Sequence, residues 1–319
     1  MPLAEKALIA RIRRQARGGG RVVAGIGDDC ALLKLPAGNN TLVTTDFSLE
    51  GIHFRSDWHP PESVGHRCLT RGLSDIAAMG GEPVAAFLSL ALPRKLPQSW
   101  VDGFMRGLLG LAKRVGVKLA GGDTAESHHG VLADIVVLGA VPTGKAILRS
   151  GARPGHRIYV SGALGGSAAT VERMRNHPRR KLNPRDYPRH FFPEARLKLG
   201  LVLRERGLAS AMIDTSDGLS TDLAHLCEES GVGAEISSDA LPVARIGKPL
   251  REVEERFVLE GGEDYELLFT APPEKRVPGQ LAGVPLTEIG VVTRGRKIFL
   301  RNSKGLRYES LVRGWEHFR

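Results

Sequence analysis

Between two apolar runs, residues 142–155 gather Pro142-Thr143-Gly144-Lys145, Ser150-Gly151 and Arg153-Pro154-Gly155. So many turn formers in one stretch end regular structure on both sides, and the chain must divide there. We therefore expect one domain over residues 1–145 and a second over residues 146–319. Upstream, apolar runs of strand length predict strands at Ala31–Leu35, Thr41–Thr45, Val84–Leu92 and Leu132–Val141, with helices at Glu62–Met79 and Gln98–Val115. Downstream, Arg157–Val160, Ala211–Ile213, Ala234–Ile236, Glu266–Thr270 and Glu288–Val292 read as strands, and Gly166–Arg175, Glu194–Arg206 and Ser220–Glu229 as helices. A length of 319 residues, 42% of them hydrophobic and 25% charged, supplies apolar material for two cores. Strands and helices alternating in both halves predict an α/β (α+β) fold of two domains with mixed sheets.

The longest apolar stretches, Pro83–Pro93 and Val131–Pro142, fall well short of the roughly 20 residues that cross a bilayer, so no membrane role is expected. Met1–Arg14 carries Leu3, Ala7, Leu8 and Ile12 at helical spacing among basic residues, without a continuous apolar core or a small-residue cleavage site. It reads as an amphipathic surface helix. Cys30, Cys68 and Cys227 are odd in number and form no C-x-x-C pair, which argues against a disulfide framework and a zinc knuckle and for a reducing cytoplasm. A formal net charge of +10 points to anionic partners. With only 5% aromatic residues, stacking platforms for single-stranded nucleic acid are few, and phosphorylated small molecules suit the charge equally well. The densest basic run, Arg173–Arg189, has no repeat and reads as a solvated helix end and loop.

The chemistry is carried by aspartates set beside glycine or hydroxyl residues at the ends of predicted elements. They stand in Gly25-Ile26-Gly27-Asp28-Asp29, Thr44-Thr45-Asp46, Ser74-Asp75, Gly121-Gly122-Asp123-Thr124 and Asp214-Thr215-Ser216-Asp217-Gly218. Taken singly, each Asp is as well explained by capping a turn or a helix. Together they supply hard oxygen donors, which suit magnesium and its water and phosphate ligands. The neighbouring glycines let backbone N–H groups approach phosphates closely. Residues 139–146 show the glycine and lysine spacing of a P-loop, but Ala146 stands where a hydroxyl should hold magnesium, and we read the segment as the interdomain connection. Residues 161–167 follow a strand and open a helix, so they either offer a helix N-terminus to an anion or simply pack strand against helix.

Eight segments in order along nearly the whole chain resemble the thiamine-monophosphate kinases. They are GIGDDCALL at 25–33, TTDFSLEGIHF at 44–54, LSDIAAMGGEP at 73–83, GGDT at 121–124, LRSGARPGHRIYVSG at 148–162, IDTSDGL at 213–219, LEGGEDYELLF at 259–269 and GWEHF at 314–318. This family shares a superfamily with aminoimidazole ribonucleotide synthetase and selenophosphate synthetase. The resemblance implies an N-terminal domain whose sheet forms a barrel with that of a second copy in a homodimer. It also implies a C-terminal α/β domain, and ATP and magnesium bound in a cleft shared by the domains. Carried over motif by motif, Asp29, Thr44, Thr45, Asp46, Asp75, Asp123, Asp214 and Asp217 would bind metal. Gly121, Gly122, Arg149 and Ser216 would contact ATP, and His53, Glu263 and Trp315 the thiamine monophosphate, with Trp315 standing where Tyr is more usual in the family. Without the resemblance, His53 and Glu263 read as a hydrogen-bonded loop histidine and a turn cap.

The implied reaction is in-line transfer of the γ-phosphoryl group of ATP to thiamine monophosphate. The acceptor is a phosphate monoester with a second pKa of about 6, already ionised near neutral pH, so no catalytic general base is expected. Two alternatives stand beside this reading: another ATP-dependent enzyme of the superfamily acting on a different small phosphate ester, and a basic nucleic-acid-binding protein. The second would leave the glycine-flanked aspartates unexplained.

Overall fold

A computed structural model describes residues 2–16, 19–26, 30–179, 181–302, 304–309 and 314, which fall into two units. The first takes in residues 1–76, 81–144 and 191–193, the second residues 77–80, 145–190 and 194–319.

In the first unit, α1 (Glu5–Gln15) precedes a two-stranded ribbon of β1 (Val22–Ala24) and β2 (Leu32–Leu33). Then come β3 (Asn39–Leu49), α2 (Pro61–Ala78), β4 (Glu82–Pro93), α3 (Gln98–Val115), β5 (Lys118–Ser127) and β6 (Leu132–Pro142). The long strands form one mixed sheet in the order β3-β6-β4-β5, antiparallel except where β5 runs parallel to β4. Helix α3 forms because Trp100, Val101, Phe104, Leu108 and Leu111 recur at helical spacing and are buried, and it stops at Gly116, whose φ of 76° is left-handed. Helices α2 and α3 touch backbone to backbone through Gly65 and Gly107, where an added Cβ would collide with the carbonyls of Phe104 and Glu62. Strand β3 alternates as a half-covered strand should. Leu42 and Ser48 are buried on the face that also carries Thr44 and Asp46, while on the other face Val43 is 67% exposed and Phe47 55%.

The second unit begins with β7 (Arg157–Ser161), α4 (Gly166–Asn176), the four-residue α5 (Pro188–Phe191, whose last residue belongs to the first unit), α6 (Leu197–Glu205), β8 (Ala211–Asp214), α7 (Leu219–Ser230) and β9 (Gly233–Ser237). It continues with β10 (Arg245–Ile246), β11 (Arg251–Glu252), α8 (Glu255–Glu260), β12 (Leu267–Ala271), β13 (Gln280–Leu281), β14 (Val284–Thr293), β15 (Ile298–Arg301) and β16 (Arg307–Glu309). Its main sheet runs β16-β15-β9-β14-β7-β12-β8 with β13 paired to β14, and only the β9–β15 pair is parallel. Both faces are covered. Ile158, Val160 and Leu268 pack with Leu219, Leu223 and Leu226 of α7 on one side. On the other, Tyr159, Met212, Leu267 and Phe269 meet Leu199 and Leu203 of α6. A strand covered on both faces has no polar side, which is why Leu267–Ala271 is buried at every position and carries Thr270 as its one polar residue.

Three sequence expectations shift. Thr41–Thr45 extends to Asn39–Leu49, and Lys118–Ser127 is a further strand whose paired glycines conceal its pattern. Asp46 and Asp123 consequently lie inside β3 and β5, not at element ends as their neighbours suggest, while Asp75 lies in the last turn of α2. Among the described residues, no helix is long and apolar enough to cross a membrane.

Candidate active site

The predicted residues fall into two groups, one in each unit. In the first unit, Thr44 and Asp46 stand two apart on β3 and so share a face, toward which Asp75 projects from α2. The Thr44 hydroxyl donates to Asp75 Oδ2. Burial first, then the nearby Asp75 and Asp134, push the Asp46 carboxyl up to about 6, with Arg71 offsetting only part of that. Asp46 Oδ2 is buried without a hydrogen-bond partner. Thr45 points to the opposite face, where its hydroxyl donates to Asp134 Oδ1 at 2.7 Å. Asp123 is exposed on β5 and accepts from the Thr124 N–H at 2.8 Å. Just before it, Gly122 has a φ of 146°, and an added Cβ would strike the Leu88 backbone, so only glycine lets β5 lie this close to β4. Gly121 follows a register shift in the β4–β5 pairing. His53 sits in the turn after β3, where the Leu49 N–H donates to its Nδ1 at 3.0 Å. A neutral ring accepting at Nδ1 carries its proton on Nε2, leaving a donor at that end.

In the second unit, Asp214 closes β8 and is buried. The following loop is laced to residues 263–266: the Glu263 N–H donates to the Ser216 carbonyl at 2.8 Å, the Tyr265 N–H to the Thr215 carbonyl at 2.9 Å, and the Thr215 N–H to the Glu266 carbonyl at 2.8 Å. Glu263 and Tyr265 have φ values of 67° and 53°, a left-handed backbone that side chains rarely adopt and that these bonds enforce. Gly262 lies against the Ser216 carbonyl, where a Cβ would collide. Arg149 is exposed, and its carbonyl accepts from Ser230 Oγ at 2.9 Å. Asp29 and Trp315 lie outside the described residues; Gly314 donates its N–H to Thr221 Oγ1 at 3.0 Å.

Four acidic residues near these groups escape the motif reading. Asp134 takes the Thr45 hydroxyl from the neighbouring strand. Asp222 accepts from the Asp217 and Gly218 N–H groups at 3.3 and 3.1 Å, and burial together with Asp214 and Asp217 raises its carboxyl well above the usual range. Its place in the first turn of the helix after Asp217-Gly218 is the signal that would have found it. Asp264 accepts from the Gly165 and Ser167 N–H groups at 2.5 and 3.2 Å, so the helix start considered as an anion site already holds a carboxylate of this chain. Glu266, fully buried, takes two bonds from Arg196 at 2.7 and 2.5 Å, one from Ser161 Oγ at 2.5 Å and one from Arg189 at 3.2 Å. Lys145 is followed by irregular chain and not by a helix, so the P-loop spacing has no P-loop geometry.

Asp46 and Asp222, both raised with neighbouring carboxylates contributing, and a buried Asp46 oxygen with nothing to bond, make a donor set short of positive charge. Hard divalent cations fit that set. Among the described residues, no three His, Cys, Asp or Glu side chains converge as a ready-made metal cage.

Residues 27–146 match the AIR synthase related protein, N-terminal domain, and residues 153–302 match the AIR synthase related protein, C-terminal domain. Fold and site thus define a two-domain protein of the AIR synthase related class. Within it, the thiamine-monophosphate kinase of Salmonella typhimurium is 37% identical over an alignment spanning 100% of this chain and 99% of that protein. The crystal structure of the thiamine-monophosphate kinase of Stenotrophomonas maltophilia aligns with a TM-score of 0.81 at 35% identity, covering 94% of this chain and 97% of that one. AaThiL, complexed with AMPPCP and TMP, aligns with a TM-score of 0.78 at 32% identity, covering 99% and 97%. This chain belongs to the thiamine-monophosphate kinase family.

Proposed function

We propose that this chain transfers the γ-phosphoryl group of ATP to thiamine monophosphate, giving ADP and thiamine diphosphate. The observation that carries the reading, in a chain of this family, is Asp46: a carboxylate pushed up by burial and by Asp75, with one oxygen buried and unbonded. Such a group is a cost to the fold unless a cation meets it during function.

Asp29, Thr44, Asp46, Asp75 and Asp123 from the first unit and Asp214, Asp217 and Asp222 from the second would hold magnesium, with Thr45 contributing through its backbone oxygen. Magnesium held there would offset the charge of two anions brought together. Gly121 and Gly122 bring backbone N–H groups against ATP, and Arg149 and Ser216 hydrogen-bond it. His53 donates from Nε2 to the acceptor phosphate. Glu263, held by its bond to Ser216, and the indole of Trp315 take the cationic thiazolium and the flat pyrimidine. No side chain has to remove a proton, because the acceptor oxygen is already ionised. The work of the residues is positioning.

We also infer a homodimer formed through the sheet of the first unit, whose edge strand β3 exposes Val43 and Phe47, and which closes with a second copy into a barrel. The working compartment is the cytoplasm: all three cysteines are free, and burial pushes the Cys68 and Cys227 thiols up to about 12. The residues 1–145 domain carries the dimer contact and most metal donors, and the residues 146–319 domain carries the others. The deciding experiment measures ADP release with ATP, magnesium and thiamine monophosphate, with thiamine diphosphate identified by mass. Release that needs all three supports the reading; no dependence on thiamine monophosphate overturns it.

A further inference from the structure

The basic run that the catalytic reading leaves without a role forms one wall of a cavity. The cavity measures about 320 Å³ and lies wholly within the second unit, between α5 with the turn before it and the β10–β11 hairpin. Arg185, Arg189, Arg245 and Lys248 line it, with Asp186 as the one carboxylate, leaving a formal excess of three positive charges by the difference of four and one. Only Arg189 is spent internally, on the Ala163 carbonyl at 3.1 Å and Glu266 at 3.2 Å. Among the described residues, Arg185, Arg245 and Lys248 have no ion-pair partner.

The two walls are fixed to each other. The Gly247 N–H donates to the Asp186 carbonyl at 3.1 Å, and Gly247 packs under the Tyr187 hydroxyl with a φ of 81°. A preformed concavity of one sign focuses its field inward and raises the local concentration of counter-ions. Its volume is at the small end of ligand pockets, large enough for a phosphate ester or a diphosphate and too small for a nucleic-acid strand. Arginine forks and a lysine are the donors that phosphoryl oxygens take. We propose that this cavity is a second anion site, separate from the catalytic residues, that binds a small diphosphate or phosphate monoester.

The test is calorimetric titration of the full-length protein with inorganic pyrophosphate in metal-free buffer, where no cation can join a phosphate to the catalytic carboxylates, beside an Arg185→Ala/Arg245→Ala/Lys248→Ala variant. A Lys6→Ala/Arg13→Ala/Arg14→Ala variant, altered on exposed positions of α1, controls for net charge. The expected result is saturable binding below about 1 mM, weakened tenfold or more in the first variant, unchanged in the control, and accompanied by KM values for ATP and thiamine monophosphate within threefold of the parent. Lys248→Glu, in an exposed turn, gives the same loss if the triple variant does not fold. No binding by the parent, equal binding by the cavity variants, an equal loss in the control, or a KM change that moves with the binding loss overturns the proposal. Because the readout is pyrophosphate binding without metal or nucleotide, it stands or falls apart from the kinase assay.

Discussion

Asp46, half-buried, and Asp264, buried, serve opposite ends. Asp46 has a buried oxygen with no bond, whereas Asp264 has two backbone N–H partners at the start of α4. Replacing Asp46 with Asn removes charge from a repelling pair, so Asp46→Asn should lower kcat by 100-fold or more while its Tm in EDTA equals or exceeds that of the parent. Activity within threefold of the parent would remove Asp46 from the metal site. Asp264 is pushed up to about 7, chiefly by burial and further by Glu266, against the two N–H bonds and Arg189. A carboxyl raised in the folded state binds its proton more tightly there than in the unfolded chain. Its contribution to stability is complete below the unfolded value of about 4 and is lost as the pH rises toward 7. Asn mimics the protonated acid, so the Tm of Asp264→Asn minus that of the parent should grow between pH 4 and 7; a flat difference refutes the assignment. Asp46, Asp75 and Asp217, set beside Thr45, Ser74 and Gly218, are legible in the sequence because the motif surrounds them. Asp134, Asp222, Asp264 and Glu266 are not, since each gains its meaning from a partner on another element.

At the scale of elements, legibility followed coverage. Helix α3 was read residue for residue, because its buried face repeats at helical spacing and Gly116 ends it. Strands β4 and β6 were found from their apolar runs, whereas β5 was hidden by Gly121-Gly122, whose task is close approach to β4, and β15 and β16 were missed because they are short and carry arginines at their ends. Aspartate inside a strand runs against propensity, which is why the sequence does not place Asp46 and Asp123 within strands. The clearest joint between elements is Glu266, which ties β7 through Ser161, α5 through Arg189 and the residue before α6 through Arg196. Glu266→Gln leaves two guanidinium groups short of their counter-charge, and loss of one partner from a buried pair costs about 3–5 kcal/mol. Because Arg189 and Arg196 keep some solvent, the lower end applies, and the midpoint of urea unfolding should drop clearly at pH 7. An unchanged midpoint would mean the network is ornamental.

For the molecule as a whole, the two sheets differ in how they are finished. The second unit covers its sheet on both faces, while the first leaves Val43 and Phe47 bare on an edge strand. The parent should therefore sediment as a dimer at micromolar concentration and Val43→Asp/Phe47→Asp as a monomer, and an unaltered dimer would place the contact elsewhere. That bare strand also makes the protein answerable to its own abundance. If the apolar face is buried only by a second copy, mass action adds to stability in proportion to the logarithm of concentration. Dilution should then lower the melting temperature and specific activity together, and a cell that makes little of this chain would hold it in a more fragile form than one that makes much.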